Sequence, residues 1–315
     1  MRHFLVNVSI RSQMMISKKT LERRAYWVQE IRTLSGNFGE DSDRLERELS
    51  VEIHANGSEG LIDHLRLCGA IPESYAESST EEKLYSKYTD ALLAEAFRFL
   101  GLRSLVLAER ADAADVDVFA KDYSFVADAK AFRLSRTAKN QKDFKIQAMD
   151  GWRRDKAYAM VVCPIYQLPS SSSQVYHQAT TRNVCIFTYA HLAMLVKLAE
   201  DKGKKAAQKA LTAVFTAIPE LNPSKEATAY WQAVNRALLA SAKEMPELWR
   251  LEKIAAAEAI TAAKTEALTY LDNLRETIMR MSHKEALTEL VRINKIESKV
   301  AKINSVRDNR LLDIA

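Results

Sequence analysis

Two short alternating stretches, set close together, constrain this chain more than anything else in it. Ala114-Asp115-Val116-Asp117-Val118-Phe119 and then Ser124-Phe125-Val126-Ala127-Asp128-Ala129-Lys130 both read as β-strands. Side chains alternate across a strand, so Val116 and Val118 share one face and Asp115 and Asp117 the other. In the second strand Phe125 and Ala127 alternate with Val126, and Asp128 and Lys130 then arrive on a single face. Two carboxylates and an amine at the ends of adjacent strands carry a desolvation cost unless another charge offsets it, and a divalent cation would do so. The plainer alternative is an edge-strand Asp paired with a Lys.

The chain around them is large enough for one big domain or two ordinary ones: 315 residues, 47% of them hydrophobic. Phe4-Leu5-Val6-Asn7-Val8-Ser9-Ile10 is apolar but too short to span a bilayer and lacks a signal-peptide cleavage pattern, so no membrane association is expected. Cys68, Cys163 and Cys185 are odd in number and show no CxxC spacing, which argues against a disulfide framework or structural zinc and for a reducing cytoplasm. With only eight glycines there is no glycine-rich phosphate loop or dinucleotide fingerprint. Ser170 to Ser173 read as a loop, since no GxSxG elbow accompanies them.

Three segments emerge along the chain. Residues 1–78 read as mostly helical and charged, broken at Ser35-Gly36-Asn37 and Asn56-Gly57-Ser58. Residues 79–201 read as an α/β core. A capping box at Ser79 and Glu82 starts a helix that runs to Leu100, with Leu84, Tyr88, Leu92 and Ala96 as its apolar stripe, flanked by Leu93 and Phe97. A helix is predicted from Thr137 to Arg154, with Phe144, Met149 and Trp152 inward. Residues 157–163 and 184–188 are apolar runs expected of strands buried on both faces, and a helix follows from His191. Residues 202–315 form a helical subdomain, interrupted at Pro219, Pro223 and Pro246 and restarted by a capping box at Ser282 and Glu285.

The net charge of +5 says little, but its distribution says more. From Lys130 to Lys156 there are nine bases (Lys130, Arg133, Arg136, Lys139, Lys142, Lys145, Arg153, Arg154, Lys156) against three acids (Asp143, Asp150, Asp155). A basic segment beside a carboxylate cluster suits a polyanionic substrate whose phosphate must approach a metal; a solvated basic helix face is the other reading.

Asp115, followed by Asp128-Ala129-Lys130, has the form of the metal-dependent nuclease signature PD-(D/E)xK, that is, Asp, a variable spacer, then Asp/Glu-x-Lys. The run Phe132-Arg133-Leu134-Ser135-Arg136-Thr137-Ala138-Lys139-Asn140-Gln141-Lys142-Asp143-Phe144-Lys145 closely resembles the one that follows Asp-Ala-Lys in the family of HindIII-type restriction endonucleases. The resemblance also takes in residues 65–87, notably Ile71-Pro72-Glu73 and Ser78-Ser79-Thr80, then Trp152-Arg153 with Asp155-Lys156, and His191-Leu192-Ala193. It is fainter from residue 282 onward and does not extend over the first 55 or so.

That resemblance implies a restriction-endonuclease-like α/β fold, a mixed sheet flanked by helices. It implies Mg²⁺-dependent cleavage of double-stranded DNA at the palindrome AAGCTT after the first A, leaving four-base 5′ overhangs. A palindrome asks for a two-fold protein, so a homodimer is expected, as is a companion DNA methyltransferase that forms no direct complex. Asp115, Asp128 and the Ala129 carbonyl are the expected Mg²⁺ ligands. Lys130 would favour the hydroxide form of the attacking water and orient it. Arg133, Arg136, Lys139, Asn140, Gln141, Lys142 and Lys145 are the candidate DNA contacts, Arg or Lys suiting guanine and Asn or Gln adenine. Glu82 and Asp117 are candidate accessory acids, although capping explains Glu82 and strand polarity explains Asp117. Two alternatives stay open: a structure-specific repair or recombination nuclease on the same core, and a non-catalytic DNA-binding protein with a vestigial one.

Overall fold

The computed structural model describes residues 14–107, 113–136 and 141–305, the side chains of Gln141 and Lys142 excepted. In chain order the elements are α1 (Lys18–Glu30), α2 (Phe38–Leu67), α3 (Thr80–Phe99), β1 (Arg103–Val106), β2 (Val116–Phe119), β3 (Ser124–Ala129), α4 (Gln141–Phe144), α5 (Ile146–Arg153), β4 (Tyr158–Cys163), α6 (Gln174–Thr181), β5 (Val184–Thr188), α7 (Tyr189–Lys202), α8 (Lys204–Ala217), α9 (Ala227–Leu239), α10 (Met245–Met279), α11 (His283–Ile293) and α12 (Ile296–Ser305).

The strands form one mixed sheet in the order β1-β2-β3-β4-β5. Local hairpin chemistry builds the antiparallel half, where Phe119 pairs with Ser124 across a tight turn closed by the Ala120 N–H on the Tyr123 carbonyl at 2.9 Å. The β3-β4 and β4-β5 pairs are parallel and need helical crossovers, supplied by the α4–α5 segment and by α6. The apolar runs in β3, β4 and β5 follow from this, since those strands are covered by helices and bury nearly every residue. This is the mixed sheet flanked by helices that the family resemblance implied. The four-residue β1 was not foreseen.

α3 is the helix that positions the site. Ser79 caps it, its hydroxyl accepting the Glu82 N–H at 3.2 Å, while the Glu82 carboxylate reaches back to the Ser78 N–H at 2.7 Å. Its stripe of Leu84, Tyr88, Leu92 and Ala96 is buried, and Phe97 sets its ring edge-on against Phe125 of β3, centroids 5.1 Å apart. From another direction Phe215 of α8 meets Phe125 at 5.0 Å and stacks on Tyr158 at 4.5 Å.

Where a single helix was predicted from Thr137 to Arg154 the chain makes two, α4 and α5, residues 137–140 lying outside the described structure. Lys145 separates them in a left-handed conformation (φ 47°, ψ 33°) that no continuous helix can contain. Phe144 and Met149 are buried as expected and Trp152 partly so. The expected break at Asn56-Gly57-Ser58 is a kink inside α2, where Gly57 takes φ 64°.

The chain divides into two units, Met1–Ala267 and Leu268–Ala315. In the first, α1 and α2 share one continuous core with the sheet through Trp27, Ile31, Leu45, Leu49 and Ile53, as do α8 and α9. The second comprises the end of α10 with α11 and α12, and α11 packs against α12. No helix among the described residues is long and apolar enough to cross a membrane, and Cys68, Cys163 and Cys185 are buried free thiols.

Candidate active site

Strand register sets the two aspartates face to face. The last ladder pair of β2 with β3 is Val116 opposite Ala127, so one step further along each strand Asp115 stands opposite Asp128. The Asp115 carbonyl accepts the Leu107 N–H at 2.8 Å, and the Lys130 N–H donates to the Val162 carbonyl at 2.8 Å, so the backbone stays paired on both flanks. Opposed side chains of an antiparallel pair have Cβ atoms about 4.5–5.5 Å apart. At that separation the Asp115 and Asp128 carboxyl groups share a hydrogen bond. Lys130 closes the constellation, its ammonium ion-paired with Asp128 Oδ2 and its carbonyl held by the Tyr189 hydroxyl at 3.0 Å.

α3 adds a third carboxylate that the sequence reading missed. Asp90 is 2% exposed and shares the site's electrostatics with Asp115 and Asp128, and the Lys87 ammonium lies 3.7 Å from its Oδ2. The signal was present. Asp90 precedes Leu93 by three residues and Phe97 by seven, so it sits on the flank of the apolar stripe, where a carboxylate faces the interior.

Burial and mutual repulsion pull these carboxyl groups apart in acidity. Burial, then Asp90 and Asp128, push Asp115 up to about 10. Burial likewise raises Asp90 to about 8 against the pull of Lys87. Burial would also raise Asp128, but Lys130 and the hydrogen bond from Asp115 outweigh it and hold that carboxyl below its ordinary value. Burial favours a neutral Lys130, yet Asp128 overrides it and raises the ammonium. At neutral pH the cluster therefore retains protons that isolated carboxylates would have lost, and a divalent cation could take their place.

The donor set suits a hard cation bound openly. Among the described residues no three His, Cys, Asp or Glu side chains stand ready as a metal cage. Mg²⁺ needs none, since it keeps several waters and binds through one or two carboxylates plus substrate phosphate. Asp115 and Ala129 line a cavity of about 490 Å³ next to Asp128, and no hydrogen bond of regular geometry reaches Asp128 Oδ2. The same cavity is lined by Lys87, Asp90, Lys130, Arg136 and Lys145, so a phosphate entering it meets positive charge on several sides.

The remaining predicted residues fall in different places. Lys145 is exposed at the cavity, close enough to help hold the Asp128 carboxyl below its ordinary value, with its ammonium 5.4 Å from the centre of the Trp152 ring. Arg136 lines the cavity, pairing with Asp143 at 2.5 Å. Arg133, expected at DNA, is turned inward instead: it is 8% exposed, with Nη1 on the Tyr75 carbonyl at 2.9 Å and Nη2 on Glu82 at 3.1 Å. Glu82 lines the cavity, but its Oε2 is committed to Arg133 and to the Ser78 N–H. Asp117 is ion-paired with Lys156 at 3.2 Å and is not among the residues lining the cavity. Lys139 and Asn140 lie outside the described residues, as do the side chains of Gln141 and Lys142.

A mixed five-stranded sheet flanked by helices, with opposed aspartates and a lysine at the end of its middle strand, defines a restriction-endonuclease-like α/β protein. The chain is similar to the type II restriction enzyme HindIII of Haemophilus influenzae (strain ATCC 51907 / DSM 11121 / KW20 / Rd), 48% identical over 140 residues that cover 44% of this chain and 47% of that enzyme. It thus spans about half the length of the curated relative it matches. The family's own sequence model matches residues 24–307, and the chain belongs to the HindIII restriction endonuclease family.

Proposed function

We propose that this chain is a type II restriction endonuclease that hydrolyses both strands of DNA at a palindrome with Mg²⁺. The observation that carries the reading is the opposed pair Asp115 and Asp128 with Lys130 against it, at a cavity lined by further bases. Held by Asp115, Asp128 and the Ala129 carbonyl, Mg²⁺ would relieve charge on the scissile phosphate and on the leaving 3′ oxygen.

The chain's own groups do the rest. Asp128 keeps Lys130 protonated, so Lys130 places positive charge and N–H donors beside the phosphate and orients the attacking water. Lys87, on the next turn of α3 from the capped end, holds Asp90 toward the cluster. Arg136 and Lys145 receive the flanking DNA, and Lys139, Asn140, Gln141 and Lys142 complete the set of candidate base and phosphate contacts. Arg133 braces the loop before α3.

The target proposed is AAGCTT, cut after the first A to leave four-base 5′ overhangs, supported by the likeness of residues 132–145 to the family. The palindrome is matched by a homodimer with one site per strand. The setting is a cytoplasmic restriction-modification system with a companion methyltransferase, consistent with the three unpaired buried thiols.

Incubating plasmid DNA with the protein and Mg²⁺, then sequencing the ends, tests this reading. Discrete fragments ending in AAGCTT half-sites are expected; a smear of unrelated ends or intact plasmid overturns it. Asp128→Asn should be inactive yet folded. Lys130→Ala should cut about 10²–10⁴-fold more slowly under single turnover at saturating enzyme, while still binding the cognate duplex in Ca²⁺. If it instead loses affinity and keeps its saturated rate, Lys130 is a phosphate anchor.

A further inference from the structure

Three strands end level behind the aspartate cluster. Ala129 of β3 pairs with Val162 of β4, Val162 with Phe187 of β5, and Cys163 with Thr188, so Lys130 and Tyr189 each stand one residue past the end of their strand with β4 between them. Thr188 ends β5 and caps α7, its hydroxyl accepting the His191 N–H at 3.3 Å. Tyr189, the first residue of α7, is 3% exposed, and its hydroxyl reaches across the end of β4 to donate to the Lys130 carbonyl at 3.0 Å. A buried tyrosine needs a partner for its O–H, and this one takes a backbone carbonyl that lies beyond the ladder.

What that bond does follows from the two soft torsions of Lys130. Its N–H donates to the Val162 carbonyl at 2.8 Å, which fixes one side of the residue, and Tyr189 holds its carbonyl, which fixes the other. With φ and ψ both set, the direction in which the side chain leaves the backbone is set too. The ammonium lies at the end of a flexible four-carbon stem, so an error at the backbone is carried out to the tip that meets Asp128. The same hydroxyl lies against the Cys68 thiol, at the C-terminal end of α2. Tyr189 is not among the described residues lining the cavity, so it touches the backbone of the strand and not the substrate. We infer that Tyr189 is a positioning residue for phosphodiester cleavage: by holding the Lys130 carbonyl from beyond β5 it aims the Lys130 ammonium at the attacking water and the phosphate.

This role rests on the proposed DNA cleavage and deepens it. Tyr189→Phe keeps the ring and removes only the O–H. Misplacing a reacting group by about 1 Å costs about 10²-fold, so the variant should cut about 10- to 100-fold more slowly under single turnover at saturating enzyme, while binding the cognate duplex in Ca²⁺ as tightly as wild type. Because Tyr189 acts through Lys130, the loss should vanish in a Lys130→Ala background. Without any DNA, the Lys130 carbonyl carbon resonance should move in Tyr189→Phe. Tyr85→Phe is the comparison: Tyr85 is equally buried, but its hydroxyl donates to the Cys68 carbonyl at 3.0 Å and accepts from Arg24 at 2.7 Å, so its loss should lower Tm and leave the cleavage rate as it was. A Tyr189→Phe variant that cuts at the wild-type rate, that loses affinity in proportion to its rate, that costs as much again in the Lys130→Ala background, or that leaves the carbonyl resonance unmoved overturns the inference, as does a Tyr85→Phe variant slowed to the same degree. Each of these leaves the cleavage itself standing, whereas a wild-type protein that cuts no DNA removes the cleavage and the role of Tyr189 together.

Discussion

Asp90, Asp115, Asp128 and Lys130 store electrostatic tension, and pH should reveal it before any DNA is added. Unfolded aspartates are ionised above about pH 4. The folded protein keeps protons on Asp90, at about 8, and Asp115, at about 10, so it binds more protons than the unfolded chain between those limits. Stability must then fall as pH rises, by at most about 1.4 kcal/mol per unit for each fully protonated group. The depressed Asp128 and the raised Lys130 are constant between pH 7 and 8, and His191, lowered to about 4, has already made its full contribution. Calorimetric melting in EDTA should therefore show a lower Tm at pH 8 than at pH 7, with the difference reduced in Asp115→Asn and by millimolar Mg²⁺; equal pH dependence in wild type and variant would refute the coupling. Asp115, Asp128 and Lys130 were legible in the sequence because alternation within two short strands displays them. Asp90 was not, because a helical stripe tells which side faces the core and not what it meets there.

A left-handed Lys145 aims its side chain at the cavity, and Arg154, also at positive φ, leaves α5 exposed to solvent. Arg153 between them is engaged by Asp150 at 2.7 Å. If Lys145 and Arg154 neutralise DNA phosphates, replacing either by Ala should lower the slope of log affinity against log salt by roughly one, whereas Arg153→Ala should leave it nearly unchanged. Gel-shift titrations at several salt concentrations measure all three, and equal slopes in every variant would place the DNA elsewhere. Helix starts at Ser79 and Ser282 were readable because capping is local chemistry, written in four residues. The break at Lys145 was not, since nothing in Asp143-Phe144-Lys145-Ile146 forbids a helix. β1 escaped for a related reason: its four residues alternate too briefly to register, and Leu105 is 46% exposed.

For the whole molecule, the N-terminal helices carry more of the structure than their charged sequence suggests. Trp27 of α1 is 2% exposed, donates its indole N–H to Glu52 at 2.6 Å, and stacks on Tyr88 of α3 with centroids 5.6 Å apart. Burial would raise the Glu52 carboxyl, but hydrogen bonds from His64, Trp27 and Arg23 pull it down to about 2. Trp27→Ala should therefore cost about 3–5 kcal/mol and lower the denaturant midpoint while the first unit still unfolds in a single transition; a separate early transition would make α1 an independent appendage. These helices looked uninformative in sequence because their partners lie far along the chain. The basic segment, seen at its two described ends, leaves the strand that carries Asp128 at Phe132, which is hydrogen-bonded to Gly69 and Ile71, and it returns Lys145 to the cavity beside Asp128. If this segment reads the target as proposed, reading and cutting are wired in series, like a lock whose last pin sits on the bolt. A near-cognate target is expected to be held almost as firmly as the right one and severed far more slowly, so fidelity would be a matter of timing more than of grip.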